Sequence, residues 1–227
     1  MNSMNQTFYR MLFDQSPVSL WVEDFSGIVE RLNELKAQGI TDLRAHFHTY
    51  PEQFLDCVQR LRVVDVNNTT LWLYKAKSKK ELYDSIAQIF RDEALDCLME
   101  SILALGEDRK YFDGHGINYD LHGNKLYFNI SWSIPGGEKR DYENVIVAMQ
   151  DMTKLAKTRG ELEEREALFR CIFEQASEGM MLMDATGKLI LVNHAMETHL
   201  DTCAKNMVGK YLWEVYQDFF QRVRLEK

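Results

Sequence analysis

The residues of this chain that could ligate a metal or act as nucleophiles are four cysteines and six histidines. Cys57, Cys97, Cys171 and Cys203 stand 40, 74 and 32 positions apart, far from the close spacing of a zinc or redox site, and read as free thiols of a reducing compartment. His46-x-His48 is a close pair, but no partner ligands accompany it, so it reads as a pair of loop residues. The sequence has no phosphate-cradling glycine loop, nucleophile elbow or clustered acid-base set. Catalysis by these 227 residues is therefore not expected.

Charge narrows the class further. The formal net charge is −8. A phosphate-tracking protein needs a basic stripe to release counterions, and the densest basic run, Lys75, Lys77, Lys79 and Lys80, is short enough to be a solvated helix start. No nucleic-acid partner is expected. There is neither an 18-residue apolar run nor a charged-then-apolar leader, so the expectation is a cytoplasmic segment without direct membrane insertion.

The elements that must position any site are announced by a repeat. Residues 8–24 reappear as 168–184, with Arg10, Phe13 and Gln15 matching Arg170, Phe173 and Gln175 at an offset of 160. Residues 63–69 reappear as 189–195, with Val66-Asn67 matching Val192-Asn193 at an offset of only 126. The first copy therefore carries an insertion of 34 residues, about 27–60. A unit repeating at this distance is two copies of one domain rather than a solenoid. The second, 168–227, is expected to be the N-terminal half of such a domain and too small to be stable alone.

Within the first copy, Phe8, Met11, Leu12 and Phe13 predict a short helix ending at Ser16-Pro17, and residues 18–25 a strand. The insertion predicts two helices, one with Ile28, Leu32 and Leu35 closing at Gly39, the other over 51–61. Residues 63–66 form a strand, Leu71, Trp72 and Tyr74 a helix, and Ser78 with Glu81 a capping box. Asp92 is expected to start the longest core helix, with Leu95, Leu98, Met99, Ile102 and Leu105 as its buried stripe and Gly106 its stop. From Tyr111 the period becomes two: Ile117, Tyr119 and Leu121 alternate with polar residues, and after the turn at His122-Gly123-Asn124 a strand carries Leu126, Phe128, Ile130, Trp132 and Ile134. Pro135-Gly136-Gly137 breaks it and 144–150 supplies the last strand, an α+β arrangement. At Asp151-Met152-Thr153 the chain passes into a helix, Asp and Thr serving its first-turn amides. Leu155, Leu162, Phe169 and Ala176 fall seven apart along it, a weak coiled-coil signal.

The second copy holds the clearest motif: Phe169-Arg170-x-Ile172-Phe173-Glu174, Gly179, Met183-Asp184-x-x-Gly187-x-Leu189-x-x-Val192-Asn193-x-Ala195 and Gly209-Lys210. With Gln15-Ser16-Pro17, Val66-Asn67 and Asp151-x-Thr153 of the first copy, this resembles the PAS family of sensory domains. The resemblance implies a PAS fold, a five-stranded antiparallel sheet with flanking helices, in tandem: 1–153 with the helical insertion, 154–167 as a signalling linker helix, and 168–227 truncated. It implies a cytoplasmic sensor, often a parallel homodimer, acting through the linker on a downstream output domain of the parent chain. A histidine kinase of a two-component phosphorelay comes first, then a diguanylate cyclase. The alternative is a ligand-free PAS dimerisation or protein-interaction module. The enzymatic signatures of a kinase or a cyclase are absent from these residues, so any such activity belongs to the parent.

No cofactor is expected. Haem-binding PAS domains usually present a histidine from the long helix, and residues 91–106 have none; the photoadduct cysteine is missing from 78–90, and Cys97 reads as core packing. An unidentified small ligand remains open. The pocket candidates are Trp132, whose indole offers area and one donor, His115 and Tyr119, which share strand parity, and Asn67, which matches the core asparagine of the family together with Asn193 and first of all braces the strand-to-helix turn. Asp151, Thr153, Leu155 and Leu162 are the candidates for signal relay.

Overall fold

A computed structural model describes residues 3–136 and 140–225; Gly137 of the predicted strand break lies outside them. The chain divides into two compact units, 1–156 and 157–227. Among the described residues no helix is long and apolar enough to cross a membrane.

In the first unit, helix α1 (Ser3–Asp14) leads to strand β1 (Ser19–Asp24). Three helices follow, α2 (Ser26–Ala37), α3 (Leu43–Thr49) and α4 (Pro51–Gln59), then strand β2 (Arg62–Val66). The sequence predicted two helices here. The missed one, α3, is seven residues long, too short for a periodic signal, and is started by Asp42, whose carboxylate accepts the Ala45 amide at 2.9 Å. Helices α5 (Asn68–Leu73), α6 (Lys79–Asp84), α7 (Ile86–Ile89) and α8 (Ala94–Gly106) then precede strands β3 (Tyr111–Tyr119), β4 (Lys125–Ser133) and β5 (Val145–Asp151). All five strands join one sheet in the order β2-β1-β5-β4-β3, each neighbour antiparallel. One core fills the space between sheet and helices. Trp21, Phe25 and Trp132 share it with Ile28, Leu32 and Leu35 of α2, Phe47 of α3 and Phe54 of α4, so the inserted helices are part of the core.

Three local expectations change. Asp92 does not cap α8: its backbone is left-handed, at φ 51°, and Glu93 precedes the helix without a side-chain cap. The buried face of α8 is Ala94, Cys97, Ser101, Ile102 and Leu105, while Leu95, Leu98 and Met99 are half-buried. Small residues bring this helix onto the sheet, where Gly116 of β3 receives it. A Cβ on Gly116 would lie 2.7 Å from the Cβ of Cys97 and 2.8 Å from the ring of Phe128. The capping box at α6 is half formed: Ser78 Oγ accepts the Glu81 amide, but Glu81 reaches back to the Lys77 amide instead of that of Ser78.

In the second unit, helix α9 (Thr153–Gln175), which starts at the end of the first, is followed by β6 (Met181–Met183), β7 (Leu189–Val192), α10 (His194–Leu200), a 3-10 turn at Ala204–Asn206 and α11 (Leu212–Leu225). Strands β6 and β7 pair antiparallel. Leu189, Val192, Leu200, Met207 and Val215 form a separate small core.

Candidate functional site

The inward positions of β1 are Ser19, Trp21 and Glu23. Trp21 is fully buried, with the ring of Tyr74 edge-on at 5.4 Å and its Nε1 donating to Ser19 Oγ at 3.1 Å. Glu23, two residues on, is 4 % exposed, and its carboxyl makes no hydrogen bond. Loss of solvation holds that carboxyl far above the usual carboxylate range, at about 8. The β1–β2 register slips between Val22 and Glu23, leaving Val64 of β2 as an extra residue opposite the Glu23 position. Such bulges aim side chains locally.

Glu23 borders a cavity of about 30 Å³ between the sheet and the helices. That is room for about one or two water-sized groups. Its sheet side is Asn118 of β3, Phe128, Ile130 and Trp132 of β4, and Met149 of β5. Cys97, Ser101, Ile102 and Leu105 of α8 face them, and the insertion closes the side through Ile28, Val58 and Leu61. Burial pushes the Cys97 thiol up to about 11, so it stays neutral. The remaining polar groups are satisfied mostly among themselves. Trp132 Nε1 donates to Ser101 Oγ at 2.8 Å, and Asn118 Nδ2 donates at 2.6 Å to the Tyr74 hydroxyl, which donates to Met149 Sδ at 3.3 Å. Burial raises the Tyr74 hydroxyl well above its ordinary value, so it stays protonated.

The four pocket candidates separate. Trp132 lines the cavity, 2 % exposed, stacked on Phe112 and edge-on to Phe25. His115 does not: it pairs with Asn129 of β4 and lies in a surface depression with Tyr111, Asp113, Ser131 and Gln150, on the opposite face of the sheet. Tyr119 shares that parity and is also outside the cavity; its hydroxyl donates to Glu93 and the Arg91 guanidinium lies 4.4 Å over its ring. The physical reason is that the inward register of β3 is Phe112, Gly114, Gly116 and Asn118, set by pairing with Trp132, Ile130, Phe128 and Leu126. Gly116 leaves α8 its space and Gly114 leaves room for the Phe112 ring, whereas the outward residues Ile117 and Tyr119 imitate a core stripe. Glu23 was the residue that sequence reasoning missed. Its signal was a glutamate in phase with Trp21 on an alternating strand.

Asn67 is completely buried and occupied by the backbone, with nothing left for a ligand. Its Oδ1 accepts the amides of Leu20 (3.1 Å) and Thr70 (3.0 Å), and its Nδ2 donates to the carbonyls of Phe13 (3.1 Å) and Val18 (2.8 Å). Asn193 in the second unit accepts from Met180 and Met196 and donates to Phe173 and Glu178. Each partner is displaced by the same offset as in the sequence repeat: 160 for Met180, Phe173 and Glu178, and 126 for Met196. Both asparagines also cap the next helix.

At the end of β5, Asp151 Oδ1 accepts the Thr153 amide at 2.8 Å, serving α9 as expected. Thr153 acts differently from the expectation: its Oγ1 accepts the Tyr127 amide of β4 at 3.0 Å, and the Met152 amide donates to the Tyr127 carbonyl at 2.8 Å. The first turn of α9 is thereby tied to the strand whose next residue, Phe128, lines the cavity. Leu155 and Leu162 are 61 % and 66 % exposed.

Comparison with known proteins matches the PAS domain family to residues 167–227. No curated protein matches the chain. Among solved structures, the PAS domain of a Colwellia psychrerythraea protein is 13% identical with a TM-score of 0.42, covering 67% of this chain and 99% of that one. A PAS domain from a two-component sensor histidine kinase is 9% identical with a TM-score of 0.40, covering 66% and 99%. A domain of a sensory box sensor histidine kinase/response regulator from Geobacter sulfurreducens is 11% identical with a TM-score of 0.39, covering 65% and 94%. Residues 167–227 thus carry PAS-domain sequence, and the first unit, an antiparallel sheet of five strands flanked by helices, has the PAS fold.

Proposed function

We propose that the chain is the sensor region of a bacterial-type signal-transduction protein, with two PAS domains in tandem and the second represented by its N-terminal half. A ligand or conformational signal in the first domain passes through α9 to an output domain of the parent chain, first of all a histidine kinase, with a diguanylate cyclase as the alternative. In this reading the region is cytoplasmic, works as a parallel homodimer and catalyses nothing itself. The observation that carries the proposal is the linkage of Phe128 in the cavity wall, through Tyr127, to Thr153 and Met152 at the start of α9. A displacement of β4 or β5 at the cavity cannot leave that first turn where it is, because two hydrogen bonds span them.

Amide hydrogen exchange on the intact chain tests this. Met149→Ala, which opens the cavity wall, should speed exchange over 152–156 by about tenfold, an amount equal to about 1.4 kcal/mol of lost local protection. Thr153→Val should abolish the difference between the two backgrounds. If exchange over 152–156 is the same with and without Met149→Ala, the proposed transmission fails.

A further inference from the structure

An unpartnered, buried carboxyl beside an apolar cavity calls for an occupant. Glu23 offers two acceptor oxygens and receives no hydrogen bond, while Asn118 commits its Nδ2 to Tyr74 and keeps Oδ1 as an acceptor. Ser101 Oγ already accepts from Trp132. Once Glu23 is ionised these polar groups offer acceptors only, and a compact donor would complete them. The remaining walls are apolar, too poor in oxygen to complete the six to eight ligands of calcium. An anion would find only the single O–H of the neutral acid, whereas a cation with N–H donors pairs with the carboxylate that its entry creates.

We propose that the cavity is a binding site for a small primary alkylammonium ion, its head in the cavity against Glu23 and Asn118, beside Met149, and its short alkyl stem reaching the open side past Leu98. The proposal rests on the reading of the first unit as a sensor and names its ligand class. Half-buried Val58, Leu61, Phe90 and Leu98 mark the open side, where the stem would lie; Val58 comes from the insertion and Leu61 directly follows it, so helix α4 would act as the wall that limits stem length. Charge balances in the exchange. The empty site holds Glu23 as a neutral acid; when the cation enters, the Glu23 proton leaves to solvent, and the carboxylate pairs with the ammonium. Among the described residues the only other titratable group lining the cavity is Cys97 of α8, with Tyr74, which follows α5, behind Asn118; neither carries a charge near neutral pH.

The test uses the intact chain and propylammonium chloride as the probe, with sodium chloride at equal ionic strength and 1-propanol as controls. Propylammonium alone should raise the melting temperature and shift the methyl resonances of Met149 and Leu98. Calorimetry in buffers of different ionisation enthalpy should count close to one proton released per ion bound, and Glu23→Gln should weaken binding about tenfold or more. Equal stabilisation by 1-propanol, binding without proton release, undiminished binding to Glu23→Gln, or silent methyl resonances would overturn the proposal. The wild-type proton count and methyl shifts decide it even if the variant does not fold. Ammonium binding that leaves exchange over 152–156 unchanged would keep the site and sink the sensor reading; transmission without ammonium binding would do the reverse.

Discussion

Asn67 and Asn193 hold the same bracket in two very different settings. Each closes a helix end, a strand and the next helix onto one amide, through partners that correspond residue by residue. In the first unit the inward face of β1 is covered by Tyr74 and Phe90 at Trp21, and Glu23 shares its cavity with residues of α8, β3, β4 and β5. In the second unit the positions matching Trp21 and Glu23 are Met181, half-buried, and Met183, 44 % exposed. The bracket is thus a local device that needs only about 60 residues of context, whereas a cavity needs strands contributed from far along the chain. Chemistry differs accordingly: an acid at Glu23 is forced neutral, while any side chain at Met183 keeps its water.

The largest effect expected from breaking this comparison is at the brackets themselves. Asn67→Ala strands two buried amides and two carbonyls, and at about 1 kcal/mol for each lost bond should cost about 4 kcal/mol. Asn193→Ala should cost the second unit a comparable amount. Urea denaturation with a fluorescence probe in each unit measures both. A loss below about 1 kcal/mol at Asn67 would show that the bracket is replaceable by water.

The next concerns the buried acid. With a folded value of about 8 against 4.5 for the free side chain, the folded state holds a proton that the unfolded chain releases across that interval. Stability associated with neutral Glu23 is therefore fully present below pH 4.5, falls as pH rises, and is gone once pH has passed about 8. The loss is on the order of a few kcal/mol. Glu23→Leu should flatten this slope and stabilise the protein at pH 8, while Met183→Leu should do neither. A wild-type stability curve without a fall between pH 5 and about 8 would place a charge partner at Glu23.

The smallest folding effect should come from α9. Replacing exposed Leu155 and Leu162 together by glutamate should change stability by less than about 0.5 kcal/mol each. Each such side chain buried at a parallel dimer seam contributes on the order of 1.5 to 3 kcal/mol, so the same variant should dissociate a dimer in a sedimentation series. An unchanged dimer would move the interface elsewhere, with the exposed Phe8, Tyr9, Met11 and Leu12 of α1 as the next surface to test.

The repeat, the insertion, the order of strands and helices apart from α3, and the capping asparagines were legible in the sequence, because each depends on residues close together or on a spacing copied within the chain. Trp132 was legible as an inward residue for the same reason: β4 alternates without interruption. The face of β3 was not. Period two says which residues lie together but not which side is covered, and here Gly116 is on the covered side because α8 approaches too closely for a side chain, and Gly114 because the Phe112 ring fills its place. The partner of Thr153 was hidden likewise, since a hydroxyl that suits a helix start also suits a neighbouring strand, and only the β4–β5 register brings Tyr127 within reach. Glu23 stood in plain sight as a letter. That it is an unpaired acid was decided by tertiary structure alone, because burial belongs to the side chains that surround a position, and beyond Phe25 and Ile28 these come from Val58, Leu61, α8, β3, β4 and β5, as far as about 125 residues further along.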